Sequence, residues 1–248
     1  MISLSRIVAQ ALPPLPRWRA QVVISTIRSL RRGATPAERN CNICDRNNFF
    51  LPVGWPLRPE AMCPHCGSLE RHRLFKLWLD DNRERIVGKR VLHFAPETAI
   101  SNLVRTLTEV YVTADIAAGL DLQLNIEKIE LPDESYDLIL CSHVLEHVDD
   151  RAALAEIRRI LVIGGTALLM TPVVEGWATT YENSVITEPN EREIHFGQED
   201  HVRYFGSDFR DRVRHAGFGL DEFTADGSIV VKHGLHRGEK LFIAARQC

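Results

Sequence analysis

No apolar run in the 248-residue sequence approaches the ~20 residues that a bilayer-spanning helix needs. Nor does the N-terminus hold the uninterrupted apolar core of a signal peptide, because Pro13, Pro14 and Pro16 break it up. A cytoplasmic protein is the resulting expectation. The Gly-x-Gly-x-x-Gly fingerprint for a pyrophosphate is absent, so an NAD-dependent oxidoreductase fits poorly. There is also no Lys/Arg-rich patch with interleaved aromatics, which argues against a nucleic-acid partner.

What is present is an ordinary globular composition, 45% apolar and 25% charged, long enough for a full α/β core and a small accessory module. The net charge of −3 is unevenly spread. Residues 1–37 carry Arg6, Arg17, Arg19, Arg28, Arg31 and Arg32 without an acid, so taking +6 from −3 leaves −9 for the remainder. Residues 2–12 and 18–30 of this arm show helical spacing, with Trp18, Val22, Val23, Ile27 and Leu30 on one side. Such a basic helix either contacts an anionic membrane surface or a partner protein, or packs on the domain with its arginines solvated.

Cysteine is sparse, yet four of the six are paired: Cys41-Asn-Ile-Cys44 and, eighteen residues on, Cys63-Pro-His-Cys66-Gly67. Two such pairs match a four-thiolate zinc pattern, each knuckle placing two sulfurs ~2.3 Å from one metal. Four thiolates leave no open position, so the zinc reads as structural. Two disulfides, disfavoured in a reducing compartment, and an iron–sulfur cluster are the alternatives. His65, inside a knuckle, is expected to point outward. Cys141 and Cys248 stand alone.

Three short apolar runs, residues 90–97, 110–116 and 136–143, each end in polar residues, and a fourth follows at 165–171. Alternating with helical patterns at 99–107 and 151–161, they indicate βαβ units and a parallel sheet buried on both faces. Gly164-Gly165 is expected to terminate the second of these helices. A helix over 69–86 precedes the sheet, opened by Glu70-Arg71-His72-Arg73, either a salt-bridged first turn or a substrate-facing cluster. Residues 172–206 read as a long irregular insertion of the kind that forms a lid. A helix with Ser207 as N-cap follows, and strands at 218–223 and 241–245 close the sheet. The expected fold is α/β: a Rossmann-like, doubly wound, mostly parallel sheet with an antiparallel last strand, preceded by a small zinc ribbon and an N-terminal helical arm. The boundaries are 1–37 for the arm, 38–68 for the ribbon and 69–248 for the Rossmann-like domain, with the lid at 172–206.

The stretch from Asn125 through Leu131-Pro-Asp-Glu-Ser-Tyr-Asp137 to His143-Val-Leu-Glu-His-Val148, with Arg158-Arg-Ile-Leu-Val-Ile-Gly-Gly165, resembles class I S-adenosylmethionine-dependent methyltransferases. The resemblance covers roughly residues 88–246. The four-cysteine ribbon, Leu92-His-Phe-Ala-Pro-Glu97 and Phe196-Gly-Gln-Glu-Asp-His-Val-Arg203 are similar to a subgroup with a ribbon ahead of the domain. It implies S-adenosyl-L-methionine as cofactor and a small-molecule or carrier-borne methyl acceptor. The family's glycine-rich first loop is here His93-Phe94-Ala95-Pro96-Glu97, without a glycine.

The residues support specific roles. Asp115 closes the second run about 20 residues after the first loop, the spacing of an acid that accepts both ribose hydroxyls; a helix N-cap is its other reading. Asn125 would bond the adenine amino group, with Ile116 and Ile126 as apolar walls. His93, Phe94, Ala95, Pro96 and Glu97 would line the cofactor, and Ser142 and His143 its methionine end. Candidate proton acceptors are His143, His147, His195 and His201, whose imidazoles titrate near neutral pH. Glu199, Asp200 and Arg203, in the same lid segment, would contact the acceptor. An enzyme transferring methyl to a hydroxyl or similar nucleophile is the first reading. A cofactor-less ribbon and Rossmann scaffold that recruits a partner is the second.

Overall fold

The computed structural model describes residues 37–54 and 57–247; the helices expected in the basic arm lie outside them. From residue 39 the chain forms one unit. Its first part is two antiparallel hairpins, β1 (Arg39–Cys41) with β2 (Arg46–Asn48), and β3 (Leu51–Val53) with β4 (Arg58–Met62). Helix α1 (Glu70–Asp81) follows, shorter than the expected 69–86 because a 3-10 turn takes over at Arg83–Arg85.

The chain then alternates strand and helix: β5 (Arg90–Phe94), α2 (Thr98–Val104), β6 (Val110–Asp115), β7 (Leu122–Gln123), β8 (Tyr136–Ser142), α3 (Asp150–Ile160) and β9 (Leu161–Met170). The lid segment holds β10 (Tyr181–Glu182), α4 (Pro189–Phe196) and β11 (Arg203–Tyr204); α5 (Phe209–His215), β12 (Phe218–Phe223), α6 (Gly227–His233) and β13 (Leu241–Arg246) complete the chain. The order across the main sheet is β12-β13-β9-β8-β5-β6-β7. All neighbours are parallel except β13, which runs antiparallel to both β9 and β12. The expected doubly wound sheet is therefore present. Among the described residues no helix is long and apolar enough to cross a membrane.

The strand residues alternate between two cores. One face packs Leu92, Phe94, Ile139 and Leu169 against Leu154 and Ile157 of α3 and Phe209 and Val213 of α5. The other packs Val91, Leu138, Leu140 and Leu168 against Leu74, Phe75 and Trp78 of α1 and Ile100 and Val104 of α2. Burial on both sides explains why these strands read as continuous apolar runs.

Three local expectations change. Helix α3 ends at Ile160, and Leu161 is already extended, so Gly164-Gly165 does not cap it. The glycines lie inside β9, where the pairing with β8 shifts between Tyr136↔Leu161 and Leu138↔Thr166. A bulge of this kind needs backbone freedom: Gly164 has φ 78°, and a Cβ on Gly165 would sit 2.9 Å from the Val162 carbonyl. Helix α5 starts after Asp208 rather than Ser207, with no side-chain cap. The lid is not irregular: β10 pairs with β11 through Tyr181↔Tyr204 and Glu182↔Arg203, and Pro189 opens α4.

Arg73 holds the ribbon to the sheet domain. Its guanidinium is fully buried. It donates to the carbonyls of Ser68 (2.7 Å) and Ala61 (2.8 Å) on the ribbon side, and of His233 and Gly234 (2.8 Å each) at the end of α6. It also stacks 4.3 Å from the Phe50 ring centroid. Two further bonds follow the same seam, Asn42 Nδ2 to the Arg73 carbonyl and His233 Nδ1 to the Asn40 carbonyl, each 2.9 Å. Arg73→Lys keeps the charge but offers three donors to four carbonyls, so it is expected to cost about 1–3 kcal/mol. Arg73→Ala should cost more. Urea unfolding measures both, and an unchanged midpoint for Arg73→Ala would remove the residue from this role.

Candidate functional site

The sheet order reverses between β5 and β8, and ligands of such sheets bind beyond the strand ends at that switch point. Here the loops after β5 and β8 meet: Ser142 Oγ donates to Glu97 Oε2 at 3.1 Å. The loop after β5 makes its turn without glycine because Ala95 takes the left-handed backbone, φ 47°, at a steric cost of about 1–2 kcal/mol. The absence of glycine has therefore not altered the turn to a right-handed path.

Glu97 is held from the ribbon side. Arg71 Nε donates to its carboxylate at 2.9 Å, and His72 Nε2 lies 2.8 Å from Oε1. The Leu69 N–H donates to His72 Nδ1 (3.1 Å), leaving the Nε2 proton for Glu97. Burial pushes the carboxyl up, but His72 and Arg71 outweigh it and hold it well below the usual carboxylate range. Of the first-turn cluster of α1, Glu70 and Arg71 line a cavity of about 420 Å³ while Arg73 packs inward. The salt-bridged first turn is present: Glu70 pairs with Arg58 and Arg71 with Glu97.

The cavity opens over the ends of β8 and β9 and is lined also by His143, Thr171, Glu175, His236, Glu239 and Lys240. His143 has φ 55° and its Nδ1 lies 3.0 Å from Glu146 Oε1, which leaves Nε2 for the cavity. Glu146 is buried and also accepts from Thr171 Oγ1 at 2.9 Å. Burial pushes its carboxyl up and the His143 bond pulls it back below its ordinary value. Glu239 behaves oppositely: burial raises it, and Glu70 adds to the rise against His143 and His236. The loop 236–240 was not expected from the sequence. It reaches the site because β13 runs antiparallel, which brings the start of that strand to the carboxyl ends of its neighbours.

On the other side of the switch point a second cavity, about 350 Å³, is lined by Ile116, Gln123, Leu124, Asn125, Lys128 and Glu130. Asp115, one residue before Ile116, is no helix N-cap: its Oδ1 accepts from the Ala117 N–H at 2.8 Å and turns the chain there. Ile116 is 68% exposed beside it, an apolar surface left open. Asn125 Oδ1 accepts from the Glu127 N–H (2.9 Å), leaving its amide N–H groups outward.

Several expected positions fall elsewhere. The strand runs to Phe94, so His93 and Phe94 point into the two cores instead of the loop; His93 Nδ1 bonds Tyr111 Oη at 2.6 Å. Ile126 is 5% exposed and belongs to the core. In the segment 172–206, His195 is exposed and bonds Tyr181 (2.7 Å), and Glu199 is exposed. His201 is buried against the Phe196 carbonyl (3.1 Å), away from the 420 Å³ cavity. Arg203 is 8% exposed, paired with Glu182 (2.9 Å) and Asp150 (3.3 Å) and donating to the Leu145 carbonyl (2.8 Å). Arg212 joins the same acids. This network fixes the lid on α3 and α5. The Arg203 guanidinium is thus engaged by protein groups.

The two cysteine pairs converge as the spacing predicts. Asp45 N donates to the Cys41 carbonyl and Gly67 N to the Cys63 carbonyl, closing the two knuckles. Sγ separations are 3.6 Å for Cys41–Cys66 and 3.8 Å for Cys44–Cys63, close to the ~3.8 Å edge of a tetrahedron with ~2.3 Å bonds. The four could hold one zinc ion. His65 is exposed, as expected.

Residues 107–169 match the family described as "Methyltransferase domain". Among solved structures, the YcgJ protein of Bacillus subtilis superposes with a TM-score of 0.51 at 14% identity, over 71% of this chain and 99% of that one. An S-adenosylmethionine dependent methyltransferase from Mesorhizobium loti gives 0.51 at 15% identity, over 70% and 98%. The fold is that of class I methyltransferases. The [4+2]-cyclase SpnF shares it, with a TM-score of 0.50 at 13% identity over 75% and 85%. The methyltransferase fold thus does not by itself fix the reaction. No curated protein matches in sequence.

Arg203→Ala is expected to destabilise by about 2–3 kcal/mol, less than the ~3–5 of a pair broken outright, because Arg212 still neutralises Asp150. Thermal unfolding tests this; an unchanged melting temperature would return Arg203 to the list of acceptor contacts.

Proposed function

We propose that this chain is an S-adenosylmethionine-dependent methyltransferase that methylates a hydroxyl or similar nucleophile on a small-molecule or carrier-borne acceptor. The observation that carries the reading is the His143–Glu146 pair at the end of β8, set beside the switch point and facing the 420 Å³ cavity. Glu146 orients the imidazole and stabilises its protonated form, so that Nε2 can take the proton of an acceptor O–H. S-adenosylmethionine supplies a methyl group already activated on a sulfonium, which leaves the protein to bind, align and deprotonate.

The cofactor residues divide along the sheet edge. Asp115 takes the ribose hydroxyls through the oxygen not used by Ala117, and Ile116 and Asn125 take the adenine. Ala95, Pro96, Glu97 and Ser142 border the methionine end, with the Glu97 carboxylate for its amino group. Glu70, Arg71, Glu239 and Lys240 give the acceptor cavity mixed charge, which suits a polar acceptor. Cys41, Cys44, Cys63 and Cys66 hold a structural zinc. The second reading, a scaffold that recruits a partner, has one observation behind it: Glu97 is already engaged by Arg71, His72 and Ser142.

Titration calorimetry with S-adenosylhomocysteine separates the two. The wild type is expected to bind, and Asp115→Ala to bind about 10- to 100-fold more weakly, the worth of one charge-assisted contact. No binding by the wild type leaves only the scaffold. For the zinc, metal analysis should give one ion on the cysteines, and Cys63→Ser should lose it together with the ribbon's folding. Retained zinc and an unchanged melting temperature in that variant would refute the assignment.

A further inference from the structure

Two imidazoles near the turn after β8, His147 and His201, have no task in the proposed methyl transfer. Glu146 and His147, on the turn after β8, and His201, on the lid segment after α4, each offer a ligand atom within 4.8 Å of the others. The two imidazoles meet edge to face, their centroids 4.6 Å apart. We propose that these three side chains form a second metal site, for a divalent first-row transition ion.

The argument rests on how each donor is set. His201 Nδ1 faces the Phe196 carbonyl at 3.1 Å, so that nitrogen carries the proton and Nε2 keeps its lone pair. His147 Nδ1 is 3.2 Å from Asp200 Oδ2 and 3.3 Å from the Asp200 carbonyl, which fixes its tautomer the same way. A carbonyl or carboxylate behind each ligand imidazole is the outer-shell arrangement of metal-binding histidines. Glu146 accepts one bond on each oxygen, from His143 and Thr171, and each oxygen retains a second lone pair. Donor separations in a site with ~2.1 Å bonds run about 3–4 Å, so a group within 4.8 Å closes on an ion by a modest contraction.

The donor set selects the ion. Two imidazoles and one carboxylate suit Zn²⁺, Mn²⁺ or Fe²⁺ over Mg²⁺ and Ca²⁺, which prefer oxygen alone. Three protein ligands also leave coordination positions for water or an acceptor oxygen. His147 is partly exposed, which gives the ion an entry path. The ion would join the lid to the turn after β8, where Val202 N already donates to the Glu146 carbonyl at 3.0 Å. Its Glu146 ligand is also the partner of His143, so occupancy would bear on that imidazole directly.

Cobalt substitution tests the site apart from any activity. Full-length protein with zinc on its cysteines is titrated with Co²⁺ alone and followed by visible absorption and metal analysis. One further equivalent is expected, with d–d bands of nitrogen and oxygen ligation, no thiolate charge-transfer band, and displacement by Zn²⁺. His147→Gln and His201→Asn should each weaken binding by about 100-fold or more, and Asp200→Ala by the 10- to 100-fold of a lost outer-shell partner. The cysteine-bound zinc should survive in all three. Should His201→Asn fail to fold, His147→Gln, at a partly exposed position, carries the test. No saturable Co²⁺ beyond the cysteine site, or binding unaltered in His147→Gln, overturns the proposal. S-adenosylhomocysteine binding is independent of these outcomes.

Discussion

A buried guanidinium sets the architecture. Arg73 lies under the ribbon, where four carbonyl dipoles and the face of Phe50 meet its charge directly, with Cys41 and Glu70 contributing at longer range. Two of those carbonyls terminate α6, the negative end of a helix dipole. A cation so placed is tolerated only while every donor is used, because an unpaired one in this environment would be costly. The arrangement therefore tolerates neither a displaced ribbon nor a shifted α6. It fixes where α1 begins, and so where Arg71 and His72 stand.

That placement carries through to the site. Arg71 and His72 reach Glu97, and Glu97 in turn receives Ser142, so the start of α1, the loop after β5 and the end of β8 share one chain of polar contacts. On the opposite flank Asp150 and Glu182 are gripped by Arg203 and Arg212 and hold the lid. The candidate site sits between two rigid polar seams. Its groups are oriented before any ligand arrives, as electrostatic catalysis requires.

The parts of this design that are local in sequence could be read from it. The cysteine spacing, the strands buried on both faces, and Asp115 at the end of β6 all announce themselves over a few residues. His93 and Phe94 differ from expectation because a loop boundary two residues off turns inward side chains into apparent ligands. The pairing of Arg203 is hidden for a different reason: its partners Asp150 and Glu182 are contributed by other elements, and nothing near it in sequence shows them. The loop 236–240 could not be foreseen either, since only the antiparallel insertion of β13 carries Glu239 and Lys240 to the cavity. Ala95 shows the converse, a turn preserved after the residue type that marks it has gone.

The contact between Arg73 and His233 spans 160 positions of the chain. During synthesis the ribbon and α1 emerge before α6, yet two of the carbonyls that satisfy Arg73 belong to α6. At roughly 5–20 residues per second they appear about 10–30 s later. Until then the arginine has only its ribbon-side partners, Ser68 and Ala61, and the underside of the ribbon faces solvent. The seam is closed from the C-terminal side, so docking of the ribbon waits for α6 to be made. A metal-bound ribbon that folds on its own cysteines would bridge that interval, because its four ligands all lie within the first 66 residues.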